Sequence, residues 1–85
     1  MRLVETSKFK KSRKKLKHEQ ERTGLKKAVQ YILENPYSGK KLKGEFRDLL
    51  SFSYSVKGQS RRLIYKLEKD SIILFSFGPR EGIYK

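Results

Sequence analysis

Four side chains near the C-terminal end of this sequence have the chemistry to meet at a phosphate. Arg61 and Arg62 open a strand-like segment in the hairpin that runs from Ser60 to Phe77, and Arg80 and Tyr84 follow its second half in Gly78-Pro-Arg-Glu-Gly-Ile-Tyr84. Antiparallel neighbours would draw these groups toward one place. A guanidinium is always charged and grips phosphate with two parallel hydrogen bonds, and a phenol ring stacks on a base. Each residue also has a plain structural alternative. The arginines can be the solvated ends of an edge strand, and Tyr84 can be a C-terminal packing residue. Tyr65 sits in an apolar segment and reads as core. His18 lies away from this cluster and reads as surface.

The charge balance narrows the partners. Among 85 residues, 22 are Lys or Arg and 9 are Asp or Glu, for a net charge of +13. Such a balance speaks for a polyanionic partner, namely RNA, DNA or an acidic protein. An anionic membrane surface fits less well, because the apolar residues are needed for a core. The length predicts a single domain over 1–85 with one modest core. Cysteine is absent, which excludes a disulfide or a thiolate metal site and suits a reducing cytoplasm. No apolar run approaches the roughly 20 residues that span a bilayer, and no signal-peptide core stands at the N-terminus. No metal-ligand cluster, Gly-rich phosphate loop or Ser/His/Asp set is present, so no metal or cofactor is expected.

The elements that must position these side chains follow from periodicity. Arg2 to Glu5 is a short predicted strand, and Thr6 or Ser7 suits a helix N-cap. Lys8 to Gln20 reads as a basic helix with a thin stripe of Phe9, Ser12 and Leu16. Thr23-Gly24 restarts the chain, and Leu25, Ala28, Val29, Ile32 and Leu33 mark an amphipathic helix. Asn35-Pro36 ends it, and the two helices should form an antiparallel hairpin. Pro36 to Asp48 reads as a polar connection. The period then falls to two: Leu50, Phe52, Tyr54 and Val56 alternate with Ser51, Ser53 and Ser55. After a turn at Lys57-Gly58-Gln59 come strands at Leu63 to Leu67 and Ile72 to Phe77, the second apolar on both faces and so interior. The order is β-α-α-β-β-β, an α+β fold with both helices on one face of a small, mainly antiparallel twisted sheet. The serine-lined face would then be an uncovered, shallow platform bordered by Arg62 and Arg80.

Basic residues outside the hairpin are phosphate-contact candidates. The run Lys8, Lys10, Lys11, Arg13, Lys14, Lys15 and Lys17 is dense enough to track phosphates, although a run of this kind is often only a solvated helix face. Lys40, Lys41 and Lys43 extend the same field. The candidate RNA-binding set is therefore Arg61, Lys8, Lys11, Arg13, Lys14, Lys15, Lys41 and Lys43.

These landmarks in this order resemble the RelE/ParE superfamily of toxins from type II toxin–antitoxin modules. The resemblance runs over almost the whole chain. It rests on Phe9 and Leu16 in the basic helix, Asn35-Pro36, Lys41-Leu-Lys-Gly44, Arg62-Leu-Ile-Tyr65 and Gly78-Pro-Arg-Glu-Gly-Ile-Tyr84. It implies a RelE-like fold and one of two activities. RelE-like members cut mRNA in the ribosomal A site, whereas ParE-like members inhibit DNA gyrase without cutting. It also implies a cognate antitoxin as partner, with ribosome and mRNA, or gyrase, as target. By this resemblance Arg62 and Arg80 engage the scissile phosphate, and Tyr84 stacks on a base or aids proton transfer. A catalytically degenerate RNA-binding relative is the third reading. Two positions depart from the pattern. Pro79 stands where many relatives carry His, and Ser53 and Ser55 stand where some carry lysines.

Cleavage of this kind uses the substrate's own 2′-OH. It needs a base for that proton, positive charge for the phosphorane and an acid for the leaving 5′-oxygen. Arg62 and Arg80 suit the second need. Glu45, Glu81, Lys41 and Lys43 are weak candidates for the base.

Overall fold

The computed structural model describes residues 1–79. Strand β1 (Arg2–Glu5) leads into helices α1 (Ser7–Lys14) and α2 (Glu19–Glu34), then a two-residue strand β2 (Lys40–Lys41) and a 3-10 turn (Gly44–Phe46). Strands β3 (Leu50–Val56), β4 (Gln59–Leu67) and β5 (Ser71–Pro79) follow. The sheet order is β1-β5-β4-β3-β2, antiparallel throughout except that β1 runs parallel to β5. The expected α+β architecture is borne out. The structure adds β2, which ladders Lys40 with Ser51 and Lys41 with Leu50 inside the connection expected to be irregular.

The helix boundaries differ from those the sequence predicts. Thr6 caps α1: its hydroxyl accepts from the Phe9 amide at 3.2 Å and donates to the Phe75 carbonyl at 3.3 Å. The helix stops at Lys14 instead of running to Gln20, with Lys11, Arg13 and Lys14 in a last turn that favours cations. The next helix begins at Glu19 instead of near Leu25, with Glu19 and Glu21 in a first turn that favours anions. The break therefore follows the change in sign of charge. Gly24 lies inside α2 and does not break it. A Cβ there would stand 2.8 Å from the Val56 side chain, so this glycine lets the helix approach the sheet closely.

Helix α1 lies over β5 and β1, and α2 over β3 and β4. Phe9, Leu25, Ala28 and Ile32 meet Leu50, Leu63, Tyr65, Ile72 and Leu74 in one core. Phe9 packs edge-on against Phe77 with centroids 5.1 Å apart. That contact depends on a bulge. Tyr65 pairs with Leu74 but Ile64 pairs with Ser76, which leaves Phe75 as the extra residue. The bulge shifts the alternation by one, so Phe77 joins Ile72 and Leu74 on the helix side.

Tyr65 ties the sheet to the loop after α2. Fully buried in the central strand, it donates its hydroxyl proton to the Pro36 carbonyl at 2.8 Å and accepts from the Gly39 amide at 3.0 Å. Burial pushes its pKa up, against the opposing effect of hydrogen bonds from Gly39 and Ser38. Replacing it by Phe removes both bonds and leaves two backbone groups without partners. Tyr65→Phe is expected to lower unfolding free energy by about 1–3 kcal/mol. Urea denaturation measures this, and an unchanged midpoint would refute the tie.

Candidate functional site

Strand alternation places Arg61 and Arg62 on opposite faces of the sheet. Arg62 pairs across with Ser53 on one side and Gly78 on the other, and its face carries the serines of β3. Its Nη1 donates to the Ser51 hydroxyl at 3.2 Å. Among the described residues no carboxylate pairs with it. Lys40 adjoins Ser51 in register on the same face, so a second cation flanks the serine that holds Arg62. Gly78 has φ 148, a backbone that side-chain-bearing residues rarely adopt, and there is open space where its Cβ would be.

This face is less bare than expected. Ser53 and Ser55 are exposed, but Ser51 is 3% exposed and Ile64, between Ser51 and Ser76 in register, is 2% exposed. The serine row is thus partly a buried support for the guanidinium. Alternation could have shown that Arg61 and Arg62 diverge. The Ser51 anchor was beyond sequence reasoning, because it depends on the exact register of β3 against β4. Arg80 and Tyr84, and the base candidate Glu81, lie outside the described residues.

Arg61 faces the helices. It donates to both Glu21 carboxylate oxygens, at 3.4 Å and 3.1 Å, and also to Gln59 and the Ser60 carbonyl. Its charge therefore serves to join β4 to α2. Beside this pair the Tyr54 phenol is pushed up to about 12, first by burial and then by the Glu21 charge, with Arg61 opposing. Arg13 is similarly engaged: Nε and Nη2 grip the two oxygens of Glu5. The hydrogen bond from Arg13 holds the Glu5 carboxyl below its ordinary range, against the effect of burial. Lys8, Lys11, Lys14 and Lys15 are exposed along α1 and its C-cap, on the opposite side of the sheet from Arg62. Lys41 pairs with Leu50, which turns it to the helix-side face, and Lys43 is the N-cap of the 3-10 turn.

A second feature is an apolar cleft of about 610 Å³ between the two helices and β1. Leu3, Leu16, Val29 and Leu33 contribute its apolar lining, and Arg22 and Lys26 are among its basic residues. No group of three or more His, Cys, Asp or Glu poised to hold a metal occurs among the described residues, and no helix among them is long and apolar enough to cross a membrane.

A two-helix layer packed on one face of this five-stranded sheet is a RelE-like toxin fold. Residues 3–85 match the family described as the ParE-like toxin of type II bacterial toxin–antitoxin systems, and the chain belongs to that family. Similar solved structures include the intact E. coli RelBE toxin–antitoxin complex, with TM-score 0.73, 22% identity and coverage of 94% of this chain and 96% of that one. The isolated E. coli RelE toxin is another, with TM-score 0.73, 25% identity and coverage of 94% and 84% respectively. No curated protein sequence matches.

Tyr54 gives the Arg61–Glu21 junction an alkaline signature. Its phenol ionises near 10 when unfolded but near 12 when folded, so the folded chain holds that proton longer. The stability this provides is complete below pH 10 and is lost as pH rises toward 12. Melting temperatures across that range are expected to fall more steeply for the native chain than for Tyr54→Phe. Parallel curves would refute the assignment.

Proposed function

We propose that this chain is the toxin of a toxin–antitoxin pair and acts as a ribosome-dependent mRNA endonuclease in the cytoplasm. The observation that carries this reading is Arg62, half-buried and held by Ser51 on the sheet face away from the helices, and unpaired with any described carboxylate. A gyrase-binding surface does not require a guanidinium kept free for phosphate.

In the proposed reaction the substrate 2′-oxygen attacks the adjacent phosphorus. The O2′–P bond forms and the P–O5′ bond breaks, giving a 2′,3′-cyclic phosphate and a 5′-hydroxyl. Arg62, with Arg80, neutralises the charge of the phosphorane. Tyr84 stacks on a base or protonates the leaving oxygen. Lys40 adds positive charge on the Arg62 face. Among the described residues no strong acceptor for the 2′-OH proton stands beside Arg62, since Lys41 faces the other way and Glu45 lies in the exposed 3-10 turn, so that proton passes to a water molecule as the O2′–P bond forms. The ribosome would therefore supply the alignment, and positioning alone can contribute about 7–11 kcal/mol. Lys8, Lys11, Lys14 and Lys15 provide a separate phosphate-tracking surface for ribosomal RNA. The apolar cleft and its basic rim suit an acidic amphipathic segment of the antitoxin.

Primer extension on mRNA from cells expressing the chain is expected to reveal new cleavage sites. Arg62→Ala should reduce cleavage about 10²- to 10³-fold. Ser51→Ala should reduce it less, with the melting temperature nearly unchanged. Growth arrest with intact mRNA and blocked DNA supercoiling would overturn this reading in favour of gyrase inhibition.

A further inference from the structure

Tyr37 is the most exposed large hydrophobic residue described, at 83%, yet the chain on both sides of it is fixed. The Tyr65 hydroxyl bonds Pro36 and Gly39, and the Ser38 amide donates to the Asn35 carbonyl at 3.0 Å. Asn35 is tied in turn to the Tyr31 carbonyl through its amide and its side chain. An aromatic ring left in water on a rigid loop is preorganised for contact, because little conformational freedom remains to be lost on binding.

Tyr37 borders a cavity of about 320 Å³ that also meets Lys41, Arg47, Asp48 and Leu67. That volume lies at the lower end of ligand pockets, roughly 300–1,000 Å³. Its chemistry is that of a single nucleotide. An aromatic face stacks on any base, Lys41 and Arg47 attract phosphate, and Asp48 accepts from a base amine or a ribose hydroxyl. The cavity lies at the edge strand β2, where Lys40 faces the Arg62 side and Lys41 the Tyr37 side. A single strand rounding this edge meets a cation on each face.

We propose that Tyr37, with Lys41 and Arg47, forms a second nucleic-acid site that stacks an unpaired RNA base on the sheet face opposite Arg62. The proposal rests on the preceding reading only for its choice of RNA as ligand; it does not require cleavage.

The chain contains no tryptophan, so Tyr37→Trp installs a unique fluorophore at the site. Titration with a short single-stranded RNA is expected to give saturable quenching, with none from duplex RNA or inorganic phosphate. Tyr37→Ala should weaken binding of that oligonucleotide roughly 5- to 150-fold, the range of one base–aromatic stack, while Tyr37→Phe retains it. Arg47→Gln should lower the salt dependence by about one phosphate contact. Circular dichroism checks that each variant is folded. Absent quenching, or unchanged affinity in Tyr37→Ala, overturns the site. Equal quenching by single-stranded DNA overturns its assignment to RNA, and a response to the antitoxin alone reassigns it to protein contact. Quenching without mRNA cleavage supports this site while sinking the nuclease reading, and the reverse result does the opposite.

Discussion

The Tyr65 hydroxyl ties together parts of the chain 26 and 29 residues apart in sequence. It stands in the central strand, yet its partners are backbone groups of the loop that leaves α2. A buried hydroxyl with no partner would be costly, and so would the carbonyl and amide it serves. Satisfying all three at once fixes where the chain re-enters the sheet. That fixes β2, and β2 sets which lysine faces which side. An interior hydrogen bond thus determines the charge pattern at an outer edge.

Electrostatics then divides the arginines by role. Arg13 and Arg61 each face a carboxylate, and both pairs link separate elements of the fold. Partly exposed pairs of this kind stabilise modestly, so their main effect is to set orientation. Arg62 meets only a neutral hydroxyl among the described residues, and its charge remains available. The division follows from one residue of offset along β4, since neighbouring side chains must emerge on opposite faces.

The fold was legible because its signals are local. Serine alternation marked β3 to the residue, and Leu25, Ala28 and Ile32 marked the buried face of α2. The helix boundaries were misread where Gly24 looked like a break. Its role depends on Val56, far away in sequence, which no local pattern reveals. The candidate site was legible in type more than in geometry. Arg62 could be singled out from its motif, but its Ser51 support required the register, and the separation of Arg61 required knowing where Glu21 lies. Phe75, the bulge residue, is invisible to periodicity because it interrupts the period.

The pairing of β1 with β5 has a consequence for when the molecule exists at all. Among the described residues β1 finds its only sheet partner in β5, with Arg2 opposite Ser71, so the sheet cannot close until these two distant segments have met. Contacts of such long sequence separation form late, after the loop-closure entropy has been met. Until β5 is in place, β1 has no strand to pair with and Arg62 lacks the glycine, Gly78, that flanks it.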